Sequence, residues 1–537
     1  MTGSISGSVT PRTLSWARQL LFRAIVTLTV TVIGLLVIEI VIRAVDGYRL
    51  GSARLEPSRD AWRQIGLRPQ RASEKWKGDD DAALYVQQIP IAPGVEREWF
   101  TTPVPERRMA QPDPDLAART SRYSDIHDMH PNYEWNWEFV TGAVCRDNPS
   151  EDADIFNRLD DIFVFDPTDG SASPTYRFLR NATYPSGLKT NAFGWRGADV
   201  PLHKPPQTIR IAFVGASTTV GAHLEAYSYP ELVGFWLNQW ASQRHRGVSF
   251  ETINAGREGV NSKSIQAIVR QELAPVEPDL VVYYEGANQF WPADFIWTPL
   301  PARSRVSGPQ PTTLAYYSAA ARRFERVVRR AVVPGVEPVK PHIVVNWPAD
   351  LDERDPELTH SQLPIELPRI LKDLESIRRS LDEQSSKLVV TSFVWLVYPG
   401  LVLDPARDAE LFSYLNTTYW PFSYAHMRRL LDFQNRVFQR YASTHGLDFI
   451  DLSSQYPRDP RLFEDGVHMT HAGIRLQAWI VFNGLIPALE RELASDRLPR
   501  PSASRLATHP AFADRRLVPM SAVKALCGPT PPAAPAK

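Results

Sequence analysis

The chain has 537 residues, 43% of them hydrophobic and 22% charged, which suits a folded body of two or more domains and excludes a disordered chain. Lys+Arg and Asp+Glu both number 60, so no basic excess points to nucleic acid. Proline, at 46 residues, is about twice the usual share and predicts long irregular connections.

In chain order, a basic tail at 1–23 comes first. Then 24–43 is apolar with one acidic residue, Glu39, and is long enough to span a bilayer as a helix. The apolar run is too long for a signal-peptide core, and no small-residue cleavage site follows it, so we read an uncleaved single-pass anchor. Basic residues flank it on both sides, so charge gives little orientation. We expect the short tail inside and the body outside the cytoplasm, periplasmic or cell-surface. Residues 44–205, rich in Pro, Trp, Asp and Arg, read as a membrane-proximal accessory region of short strands and loops.

From 206 the pattern changes. Strands are predicted at Ile209–Val214, Val248–Asn254 and Leu280–Tyr284, with helices at Tyr229–Gln243 and Ser262–Leu273 between them. This βαβαβ order implies a parallel sheet. A Pro- and Trp-rich insertion at 291–365 follows, with an Arg-rich helical piece at Ala319–Ala331. A helix at Leu367–Glu383, a strand at Lys387–Trp395, a helix at Tyr424–His445 and a short strand at Asp448–Leu452 come next. Thr470 is the predicted cap of a last helix reaching Leu493 and closing a domain at 206–495, and 496–537 reads as a loosely held Pro/Ala-rich tail. The two cysteines, Cys145 and Cys527, lack metal-ligand spacing; pairing and two separate thiols are both open.

Four short stretches carry chemistry. Gly215-Ala216-Ser217-Thr218 follows the first strand, Asn254–Asn261 the second and Glu285-Gly286-Ala287-Asn288 the third, and Asp465-Gly466-Val467-His468 precedes the last helix. Sites in open parallel sheets form at the C-terminal strand ends. A serine needs a base to become a nucleophile, and His468 with Asp465 three residues away supplies base and orienter. The Ser217 and Gly259 backbone N–H groups and the Asn288 amide are candidate oxyanion donors. Gly256 is the alternative to Gly259. Glu285 reads equally as a pocket residue or a structural one.

The four blocks in this order resemble the SGNH, or GDSL-like, hydrolase superfamily over about 206–295 and 385–495. The resemblance implies a flavodoxin-like three-layer α/β/α sandwich with a parallel sheet. It also implies a catalytic set of Ser217, Asp465 and His468, with an oxyanion hole of Ser217, Gly259 and Asn288. Departures are Ala216-Ser217-Thr218 in place of Asp-Ser-Leu, and Gln289 where Asp is frequent after Asn288. Gly-x-Ser-x-Gly is absent, because Thr219 stands at its last position.

The function expected is a membrane-anchored serine esterase acting through an acyl-serine on a small ester or acylated envelope glycan. The alternatives are an O-acyltransferase on cell-envelope glycans with the same triad, and a catalytically silent assembly protein. No cofactor, metal or nucleic-acid partner is expected, and Asp465, His468 and His471 are not read as a metal site. Oligomeric state is left open. Trp291, Trp297, Trp347 and Trp420 are read as packing residues ahead of a sugar platform. The segment Leu188–Gly197 resembles one that precedes the catalytic domain in membrane-anchored bacterial relatives, and receives no catalytic role.

Overall fold

The structure is a computed structural model. It describes residues 16–45, 50–51, 85–105, 132–145, 156, 159–166, 175–184, 187–221, 225–245, 247–288, 314, 317–321, 323–324, 347–398, 401, 424–512 and 515–527. The chain divides into two compact units, 1–68 with 302–340, and 69–301 with 341–537.

In the first unit, α1 (Trp16–Val45) is one continuous 30-residue helix with apolar side chains exposed along its length. Arg18–Val45 is long and apolar enough to cross a membrane. Near its end, the Glu39 carboxylate accepts bonds from the Ala319 and Ala320 N–H groups and the Ser318 hydroxyl. Arg43 pairs with Glu39 at 2.6 Å. Glu39 therefore has fixed protein partners. Most of the expected helix at Ala319–Ala331 lies outside the described residues.

The second unit holds two sheets. Its elements, in chain order, are β1 (Tyr133–Asn136), α2 (Trp137–Val144), β2 (Asp161–Phe165), β3 (Tyr176–Phe178), β4 (Thr208–Gly215), α3 (Ser217–Val220) and α4 (Tyr229–Arg244). They continue with β5 (Ser249–Asn254), α5 (Ser262–Ile268), β6 (Leu280–Tyr284), α6 (Leu367–Asp382), β7 (Lys387–Thr391), α7 (Tyr424–Thr444), β8 (Asp448–Ile450), α8 (His471–Ala494), β9 (Arg515–Pro519) and α9 (Met520–Leu526).

The main sheet has the order β5-β4-β6-β7-β8, and every pairing is parallel. This is the parallel sheet expected from the alternating pattern. β4 is an interior strand, buried at all eight positions, as a parallel strand covered on both faces must be. α4 packs against β5 and α8, whereas α5 packs against α6. The β4-to-β5 crossover and the β5-to-β6 crossover run in opposite directions across the sheet, so right-handed connections place α4 and α5 on opposite faces. α4 buries Leu232, Val233, Trp236, Leu237 and Trp240, which recur at helical spacing. Trp236 meets Trp479 of α8 edge-on at 4.9 Å, and truncating such a side chain costs about 3–5 kcal/mol. Ser228 and Glu231 form a capping box that starts α4. Thr470 caps α8, accepting from the Gly473 N–H.

Three expectations are corrected. The strand expected to reach Trp395 ends at Thr391: the Ser392 N–H makes the last bond to β8, at the Ile450 carbonyl, and the Phe393 N–H turns to the Asn435 side chain. α5 gives way to a π-helical turn at Val269–Leu273. The tail is not loosely held over Arg515–Leu526. There, β9 pairs antiparallel with β2 in a second sheet of order β3-β1-β2-β9. α9 lies on α2, and a disulfide joins Cys145 to Cys527 across 382 residues of sequence. The accessory region is thus built from both ends of the second unit.

Candidate active site

Strand register sets the site. Gly215, the last residue of β4, lies opposite Tyr284, the last of β6, and Phe213 lies opposite Asn254, the last of β5. The turns after these strands therefore emerge at one edge of the sheet. Gly215 is required there: a Cβ would sit 2.1 Å from the Tyr284 carbonyl oxygen and 2.2 Å from the Thr219 hydroxyl.

Ser217 opens the single-turn helix α3. Its hydroxyl lies 2.7 Å from His468 Nε2. His468 Nδ1 lies 2.6 Å from Asp465 Oδ2. Asp465 Oδ1 accepts the Val467 and His468 N–H groups at 2.8 and 2.7 Å, so one tight turn fixes the carboxylate and imidazole together. That turn is closed by the Phe463–Met469 bridge and tied to the main body by Leu396 N–H bonding to the Gly466 carbonyl. Burial alone would lower the His468 pKa, but the Asp465 hydrogen bond and charge, with Glu258 and Glu464, hold it above the ordinary histidine value. Burial pulls Asp465 upward, and its bonds to His468 and the Val467 N–H outweigh that and hold it low.

The expected oxyanion donors lie on the turns that follow β4, β5 and β6. The Ser217 and Gly259 N–H groups have no intramolecular acceptor among the described residues. Gly259 is exposed at φ +67, a left-handed conformation suited to glycine. The alternative, Gly256, is buried, with its N–H committed to the Asn254 side chain at 3.1 Å. The Asn288 amide donates to the Val260 carbonyl at 3.0 Å, which leaves it a second N–H.

Glu285 is buried and does not line an open surface. Its carboxylate accepts the Ala216 N–H at 3.1 Å and the Asn288 N–H at 2.8 Å, linking the serine turn to the asparagine turn. Burial pushes its pKa up to about 7 against these donors. The accessory sheet also reaches the site, which the sequence did not reveal. The Tyr176 hydroxyl accepts the Glu258 N–H at 2.6 Å, and the Tyr133 hydroxyl donates to the Glu258 carboxylate at 2.9 Å. These two rings stack at 4.1 Å and brace the loop that carries Gly259.

His471 points elsewhere, with Nδ1 2.6 Å from Glu225. Trp347 packs edge-on against Phe433 at 5.1 Å, under the Arg429 guanidinium. Trp291, Trp297, Trp420 and Gln289 lie outside the described residues.

No family model and no curated protein matches the chain. Solved structures similar to it include an α/β hydrolase enzyme from the metagenome of Lake Arreo, Spain, at 14% identity and TM-score 0.28, covering 51% of this chain and 95% of that one. A GDSL-like lipase from Bacteroides thetaiotaomicron is similar at 12% identity and TM-score 0.27, covering 52% and 88%. An acetylxylan esterase from Geobacillus stearothermophilus is similar at 14% identity and TM-score 0.29, covering 52% and 94%.

Proposed function

We propose that the chain is a serine esterase that works through an acyl-serine intermediate. The carrying observation is the hydrogen-bonded chain Asp465–His468–Ser217, at 2.6 and 2.7 Å. His468 Nε2 takes the Ser217 proton as Oγ bonds to the ester carbonyl carbon. The carbonyl π pair moves onto oxygen, where the Ser217 and Gly259 N–H groups and the Asn288 amide receive it. Collapse breaks the bond to the alkoxide, which leaves with the proton from His468. Water then gives a proton to His468 and attacks the acyl-serine. Collapse releases the acid and returns the proton to Ser217. Asp465 holds the imidazole tautomer and favours the cation formed in each half.

The enzyme is read as anchored by α1 with its body outside the cytoplasm. The Cys145–Cys527 disulfide supports an oxidising compartment. Transfer of the acyl group to a glycan hydroxyl would start from the same acyl-serine, and the ratio of free acid to acylated glycan separates the two outcomes. The complete Ser-His-Asp chain weighs against a catalytically silent protein.

The test is turnover of p-nitrophenyl acetate by the purified full-length chain and by Ser217→Ala. The reading expects turnover in the first and background rates in the second. Equal rates would refute it. A reporter fused after Lys537 that works only in the cytoplasm would refute the topology.

A further inference from the structure

We propose that Arg196, on the segment Leu188–Gly197 that precedes the main sheet, is a positioning residue for the nucleophile: it caps the C-terminal end of α3 and so holds Ser217 against His468. This rests on the serine-esterase reading and adds a residue that the four blocks do not contain.

The segment is a tight hairpin. The Asn191 N–H bonds the Trp195 carbonyl at 2.9 Å, and the Gly197 N–H bonds the Lys189 carbonyl at 2.9 Å. The Asn191 side chain accepts the Phe193 and Trp195 N–H groups at 3.0 and 3.1 Å. Gly194, at φ +66, makes the turn. The Trp195 indole donates to Glu272 at 3.0 Å, and both Trp195 and Arg196 are fully buried. The Arg196 backbone bridges Asn254, the last residue of β5. The hairpin is thus fixed to the sheet, and the Arg196 guanidinium projects from a rigid base.

The guanidinium engages the chain just after the nucleophile. Nη1 donates to the Val220 carbonyl at 2.9 Å. Nη2 donates to the Glu225 carbonyl. Nε lies 3.7 Å from the Glu231 carboxylate, which is itself the capping-box partner of Ser228 at the start of α4. α3 has only four residues, too few to be stable alone, and its last carbonyls have no helical donors. Two side chains supply them. The Asn254 amide takes the Thr219 carbonyl at 2.8 Å, and Arg196 takes that of Val220. A cation at this end also opposes the negative pole of the helix. Gly221, at φ +78, keeps the approach open: a Cβ there would stand 3.4 Å from Nη1.

One planar fork therefore ties α3, the end of the following loop and the first turn of α4. Loss of the fork lets α3 rotate, and Ser217, its first residue, moves against an imidazole fixed by a separate turn. A misplacement of about 1 Å at reacting groups costs on the order of 10²-fold in rate. Lysine keeps the charge but cannot span Val220 and Glu225 together.

The test compares Arg196→Lys, Arg196→Ala and Trp195→Phe in the full-length detergent-solubilised chain. It measures fluorophosphonate labelling rate, kcat and KM for p-nitrophenyl acetate, and melting temperature. Arg196→Lys is expected to melt near the wild type, with labelling and kcat down about 10–100-fold and KM little changed. Arg196→Ala is expected to lose more and to regain activity with added ethylguanidinium. Trp195→Phe removes the indole bond to Glu272 from the same hairpin, so it should lower the melting temperature and leave the labelling rate of folded protein unchanged. Folded Arg196→Lys labelled at the wild-type rate would overturn the proposal. So would a labelling loss in Trp195→Phe that matches that of Arg196→Lys. Wild-type protein that is not labelled at Ser217 would refute the esterase reading and this proposal with it. Labelled wild type beside an unaffected Arg196→Lys would refute this proposal alone.

Discussion

Asp465→Asn isolates the orienting carboxylate with little change of shape. Asp465 Oδ1 is held by two backbone N–H donors, at 2.8 and 2.7 Å. An asparagine would keep its carbonyl oxygen on those donors, because its NH2 group would oppose them. The NH2 group then faces His468 Nδ1, 2.6 Å away in the wild type. A donor facing a donor forces the imidazole to carry its proton on Nε2, the atom that must take the proton from Ser217. The tautomer is wrong, and the expected loss is about 10⁴-fold in kcat. That is about 5 kcal/mol of transition-state stabilisation. The melting temperature should move little, because the two backbone bonds survive. The assay is ester turnover as a function of pH. In the wild type, kcat/KM should rise with pH through a midpoint above the ordinary histidine value of 6.5, because the base must be neutral and Asp465 favours its cation. In the variant, the residual activity should have a lower midpoint. An Asp465→Asn enzyme within tenfold of wild type, with an unmoved midpoint, would refute the reasoning.

Asn288→Ala removes one oxyanion donor and should lower kcat by about 10²–10³-fold while KM stays within a fewfold, in the same ester assay. Glu285→Gln sets an amide donor against the Ala216 or the Asn288 N–H, so the labelling rate of Ser217 should fall. The Glu285 pKa is raised from 4.5 to about 7, so its contribution to stability is complete below pH 4.5 and is lost as pH rises through 7. Melting curves between pH 6 and 8 should therefore decline less in Glu285→Gln than in wild type. Cys527→Ser frees α9 from α2 and should destabilise the accessory sheet by about 2–5 kcal/mol, seen by calorimetry under oxidising conditions.

The four blocks at the strand ends and before α8 were legible because a parallel sheet dictates where its strands end. Ser217 alone would read as a helix cap, but four blocks in order at strand ends are harder to explain so, and β5 ended at the predicted Asn254 while β6 ran over the predicted residues Leu280–Tyr284. β9 was not legible. Arg515–Pro519 carries two arginines and a proline and is partly exposed, so it is a strand only because β2 offers it an edge. The shortened β7 was misread for the opposite reason: Phe393–Val397 is as buried as a strand, but the Phe393 N–H goes to a side chain of α7 and the Leu396 N–H to the Gly466 carbonyl. Glu285 and the segment carrying Arg196 were singled out, but the long-range bonds that define their roles were not legible. Each joins a side chain to backbone 24 to 69 residues distant, and no spacing rule records that. Pairing of Cys145 with Cys527 was open for the same reason, since nothing local relates two residues at opposite ends of a domain.

The central claim is that Ser217 is the nucleophile. The most direct measurement is the mass and peptide map of the full-length chain after reaction with a fluorophosphonate ester. One adduct per chain, on the peptide that contains Ser217, and no adduct in Ser217→Ala or His468→Ala, is the predicted result. An adduct on another residue, or an ester-hydrolysing protein whose Ser217 stays unmodified, would contradict it.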